Sequence, residues 1–133
     1  DMRRQVFSGA LGLTNGNSVD YVSNNGGYAI VYVETFIMAQ HGSNGYCYRL
    51  DEISRYGHVP IHSTSSFSGN ITFNGSNTSN VNSLRINASA DMTANFHINV
   101  YYWNTETGTE VSCASGRSVT IFSFTSKKND YVY

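Results

Sequence analysis

The chain has 133 residues, 40% hydrophobic and 14% aromatic but only 13% charged, so one compact domain fits and two do not. Its formal charge is −1, and the basic pairs Arg3-Arg4 and Lys127-Lys128 lie at opposite ends, so nothing offers a field for a phosphate backbone and nucleic acid is not an expected partner. No apolar run approaches the ~18 residues of a membrane span, which argues against membrane insertion, and a chain of this size can bury a core without a metal or cofactor.

Hydrophobic periodicity is almost entirely two. Residues 6–13 read as a short first strand, followed by the turn residues Asn15-Gly16-Asn17. Past a second turn cluster at 24–27, residues 28–39 (YAIVYVETFIMA) are β-branched and aromatic throughout. That predicts a central strand buried on both faces or wedged between two layers. After a Gly/Ser/Asn turn, residues 46–53 alternate, with Tyr46, Tyr48 and Leu50 on one face and Arg49 and Asp51 on the other. The Ser/Asn-rich stretch 63–83 reads as two strands and a long loop, in which Ile71 and Phe73 alternate with Asn70, Thr72 and Asn74 and residues 74–77 make a turn. Leu84 and Ile86 alternate with Arg85 and Asn87. Residues 96–103 are the clearest strand, with Phe96, Ile98, Val100 and Tyr102 on one face and His97, Asn99, Tyr101 and Trp103 on the other. Residues 119–125 close the set after a Ser115-Gly116 turn. Short strands at this spacing, with no helical pattern, predict an all-β fold: an antiparallel, jelly-roll-like β-sandwich occupying residues 1–133 as a single domain.

Few residues suggest chemistry. Cys47 and Cys113 read as free thiols, since two cysteines do not make a disulfide framework, though a secreted domain could bridge them. His58 and His62 flank Val59-Pro60-Ile61 and would point to the same side of an extended segment, but Asp or Cys ligands at metal-site spacing are missing, so no metal is expected. Asp51 and Glu52 are adjacent and hence on opposite faces of a strand, wrong for a facing acid/base pair, and Glu106 and Glu110 flank a turn. No serine sits in a nucleophile elbow and no loop carries the spaced acids of a calcium site. An enzyme is not expected. Four sequons, at Asn70, Asn74, Asn77 and Asn87, are ascribed mostly to chance in a chain this rich in Asn, Ser and Thr.

The remaining feature is the ribbon His97, Asn99, Tyr101, Trp103. A ribbon of exposed aromatics marks a subunit interface, a sugar-stacking platform or a face packed on a second sheet. The candidate receptor-binding or glycan-binding residues are Tyr101, Trp103 and Asn99, with Arg49 and Arg85 as the charged groups that could reach an acidic glycan from neighbouring strands.

The order of motifs, from Gly9-Ala10-Leu11 through YAIVYVETFI, Tyr46-Cys47-Tyr48-Arg49-Leu50-Asp51, Ser68-Gly69-Asn70-Ile71-Thr72-Phe73-Asn74 and Ser83-Leu84-Arg85-Ile86 to a final aromatic-rich strand pair, resembles the C-terminal head domains of phage tail fibres and, more distantly, adenovirus-type fibres and virion spikes. The likeness is one of strand layout and composition. It implies a homotrimeric receptor-binding head at the distal tip of a fibre or spike on the virion surface, cut from a longer fibre protein, that attaches to a host cell-surface glycan or protein. A secreted carbohydrate-binding lectin module and a purely structural virion subunit are the competing expectations.

Overall fold

The computed structural model of the chain describes residues 2–25, 30–41, 45–54, 56–66, 71–78, 81–103, 118–121 and 125–132. Within them the strands run β1 (Met2–Leu13), β2 (Ser18–Asn25), β3 (Val31–His41), β4 (Gly45–Ser54), β5 (Gly57–Ser65), β6 (Ile71–Thr78), β7 (Val81–Ala88), β8 (Met92–Trp103), β9 (Ser118–Ile121) and β10 (Thr125–Val132). They form a larger sheet ordered β10-β1-β8-β3-β4-β5 and a smaller one ordered β6-β7-β2-β9. All strand pairings are antiparallel. The two sheets bury one core between them, with Phe7, Val33, Ile37 and Ile98 from the larger sheet against Tyr21, Leu84 and Ile86 from the smaller. This is the β-sandwich expected from the alternation.

In β8 the predicted faces hold: Phe96, Ile98, Val100 and Tyr102 are buried, His97 is exposed, and Asn99 and Tyr101 are half-buried. The strand expected over 28–39 starts at Val31 and is not buried on both faces. Val31, Val33, Thr35 and Ile37 are buried, while Phe36 and Met38 are 40% and 49% exposed. β3 is central within its sheet, flanked by β8 and β4, but the smaller sheet covers only one side of it.

Three strands escaped the sequence pattern: β2, β5 and β10, the last lying beyond the closing strand expected over 119–125. β2 (SVDYVSNN) is polar, and a β-bulge between Asp20 and Val22 puts the consecutive residues Tyr21 and Val22 both in the core, each 0% exposed. A bulge breaks the period of two that would have announced the strand. β5 contains Pro60 and lies at the edge of the larger sheet, where a residue without an N–H is tolerated. Residues 74–77, expected as a turn, lie inside β6, where Asn77 pairs with Asn82 across the β6–β7 hairpin. The first turn is as expected, with Gly16 at φ 84, a conformation glycine adopts without a Cβ penalty.

Candidate functional site

The outer face of the larger sheet, which no strand covers among the described residues, is built by alternation alone, because every second residue of β1, β8, β3 and β4 must point away from the core. Its rows follow from the registers. Tyr101 stands between Arg4 and Tyr32, and Tyr32 faces Glu52; one row down, Asn99 stands between Val6 and Glu34, and Glu34 faces Leu50. The next row runs Ser8, His97, Phe36, Tyr48, and the one after it Ala10, Asn95, Met38, Tyr46. Among these, Phe36, Met38 and Tyr46 are each at least 40% exposed.

Glu34 ties the middle of this face together. Its Oε2 accepts a hydrogen bond from the Tyr48 hydroxyl at 2.7 Å and its Oε1 one from Asn99 Nδ2 at 3.1 Å. The hydrogen bond to Glu34 is the main cause that raises the Tyr48 phenol above its ordinary value. Beside this group Met2, Tyr32, Tyr101 and Tyr102 line a cleft of about 300 Å³. Tyrosines around a cleft next to a carboxylate and a carboxamide can stack an apolar ring face and hydrogen-bond its polar edge.

A second cluster lies on the opposite side of β4. The face of β4 that enters the sandwich carries Cys47, Arg49, Asp51 and Ile53, and the tyrosine face points out. Asp51, 0% exposed, is held by Arg49 Nη2 at 2.8 Å and Nε at 3.1 Å and by His58 Nε2 at 2.7 Å. Burial opposes the charge on Arg49, and the hydrogen bond and charge of Asp51 outweigh it and raise its pKa. The guanidinium stacks over the Phe73 ring at 4.6 Å, a favourable cation–π placement. Next to His58, a polar cavity of about 320 Å³ is lined by Gly57, Gly75, Ser76, Asn77 and Asn82.

Of the residues expected to form one site, Asn99 and Tyr101 share the outer face, and Trp103 occupies the position in β8 opposite Met2, its side chain lying outside those described. The arginines do not join them. Arg49 is turned inward by Asp51. Arg85 lies on the smaller sheet, where its Nε meets Asp20 Oδ1 at 2.6 Å. The two are therefore not on neighbouring strands and cannot serve one acidic ligand. His58 and His62, expected on the same side, are separated by a bulge: Leu50 pairs with His62 but Asp51 with Pro60, so the extra residue Ile61 turns His62 outward toward the Tyr48 ring, 6.3 Å between centroids, while His58 points in. Asp51 and Glu52 are on opposite faces, as expected. Cys47 is a buried free thiol; Cys113, Glu106 and Glu110 lie outside the described residues. Sequence reasoning missed Tyr32 and Glu34. Their place beside Tyr101 and Asn99 comes from the β3–β8 register, for which alternation within a single strand gives no signal. No family model matches the chain, and no curated protein or solved structure matches it.

Proposed function

We propose that this chain is a non-enzymatic attachment domain, the receptor-binding head of a viral fibre or spike, which works as a homotrimer at the virion surface and engages a host cell-surface receptor through the outer face of the larger sheet. The observation that carries the reading is that face: a contiguous set of tyrosines, with Phe36 and Met38, on a rigid sheet, and a cleft at one end of it. Rigid aromatics give large contact area at low entropic cost. The face divides along the strands. Along β3 and β4 from the Tyr32–Glu52 row, Phe36 sits four residues away and Met38 and Tyr46 six, about 13 Å and about 20 Å at ~3.3 Å per residue, so subunit packing can use one half while the cleft half binds. Three weak sites on one rigid head gain avidity without a new contact.

The test is solution mass together with adhesion. A species of three times 14.7 kDa that binds a subset of a panel of bacterial and animal cells supports the reading. A monomer that binds soluble glycans would favour the lectin module, and a trimer that binds no cell would leave only the structural subunit.

A further inference from the structure

We propose that the cleft half of the outer face is a subsite for an uncharged sugar, with Tyr32 and Tyr101 under the ring and Glu34 and Asn99 on its hydroxyls; this rests on the attachment reading and names the ligand class for it.

The four residues form a compact rectangle. Tyr32 pairs directly with Tyr101 and Glu34 with Asn99 in the β3–β8 ladder, and each pair is two residues along the strands from the other. That spacing gives a patch about 5 Å across and about 7 Å long, the footprint of one pyranose. The neighbouring cleft of about 300 Å³ has room for the substituents. A carboxylate has about four acceptor sites, and Tyr48 and Asn99 fill two on Glu34, which leaves acceptors for vicinal hydroxyls.

Charge decides between sugar classes. Arg4 and Glu52 flank the Tyr101–Tyr32 pair, so their signs oppose one another, and Glu34 in the next row makes the patch negative. Arg49 and Arg85 are engaged by Asp51 and Asp20 away from this face. A carboxylated or sulfated sugar brought over the tyrosines meets like charge, which is discrimination by repulsion; a neutral ring meets none.

The experiment presents the biotinylated domain multivalently on streptavidin to an array of neutral saccharides (glucosides, galactosides, mannosides, fucosides and N-acetylhexosaminides) and of sialylated and sulfated ones, and in parallel to the cell panel before and after mild periodate or sialidase treatment. Binding to one or more neutral saccharides, about 10- to 100-fold weaker in Tyr101→Ala, with cell adhesion lost on periodate and kept on sialidase treatment, is the expected result. Glu34→Gln, which keeps the bond to Tyr48, should lower the neutral-to-acidic preference while the circular dichroism spectrum is unchanged. Preference for acidic saccharides overturns the inference and leaves attachment standing. So does cell adhesion that depends on Tyr101 but survives periodate. Absence of binding to both array and cells overturns the attachment reading and the inference with it.

Discussion

His58 Nε2 lies 2.7 Å from Oδ1 of Asp51, a carboxylate with no exposed surface. Arg49 grips the same carboxylate through two nitrogens. One buried carboxylate thereby holds both Arg49 of β4, which stacks over the Phe73 ring of β6, and His58 of β5. Asp51→Ala leaves the Arg49 cation, 13% exposed, without its counter-ion, a change that costs about 3–5 kcal/mol. Urea denaturation should show that loss. A loss of unfolding free energy under about 1 kcal/mol would mean that the cluster is solvated and does not hold the sheets.

The same cluster requires Gly75. A Cβ at that position meets the Cβ of His58 at a distance real Cβ atoms do not adopt, with the ring close behind. Gly75→Ala is expected to cost about 1–3 kcal/mol through this overlap. His58→Ala keeps the offending Cβ and should not relieve the clash, whereas His58→Gly should, so the Gly75→Ala/His58→Gly pair should be more stable than the sum of its singles. Additive losses in the double-mutant cycle would place the cost elsewhere.

Two buried acids make the fold sensitive to alkali. Burial pushes the Cys47 thiol up to about 11 from 9.0 and raises the Tyr21 phenol well above 10.0, against the hydrogen bond it shares with Thr35. Both groups keep in the folded chain protons that the unfolded chain releases, so the unfolded state binds fewer protons and stability falls as pH rises from about 9 through 11. Thermal melts from pH 7 to 11 should show this decline, shallower in Cys47→Ala. In the native protein at pH 8, alkylation of Cys47 should be slow and should accelerate in urea, because the thiolate is the reactive species.

Self-association should depend on the half of the outer face away from the cleft. Phe36→Glu or Met38→Glu places a charge where each side chain is at least 40% exposed, so the monomer fold is spared while a packed interface is disrupted. Light scattering should show the trimer fall to monomer in either variant with the circular dichroism spectrum unchanged. A trimer that survives both substitutions would put its interface on another surface.

Alternation made the sandwich and the inner and outer sets of β8 legible, because Phe96, Ile98, Val100 and Tyr102 are apolar at every second position. It showed which residues of β4 share a face but not which face turns inward. Apolar Tyr46, Tyr48 and Leu50 argue for burial, yet Arg49 and Asp51 are the ones enclosed, since together they neutralise charge and satisfy hydrogen bonds that neither satisfies alone. The bulges in β2 and β5 shift the period by one, which hid Tyr21 in a polar strand and separated His58 from His62. The pairing of Tyr32 with Tyr101, and of Glu34 with Asn99, is a long-range register that no local window contains.

The outer face of the larger sheet, as the surface that binds, is tested most directly by altering one face at a time. Tyr101→Ala removes an aromatic from the cleft, and Arg85→Ala removes a charge on the smaller sheet, paired with Asp20 and distant from the cleft. With both variants folded and trimeric, adhesion to the bound cells should drop about 10- to 100-fold for Tyr101→Ala and stay at the wild-type level for Arg85→Ala. Full adhesion by Tyr101→Ala alongside loss in Arg85→Ala would contradict the account and assign recognition to the smaller sheet.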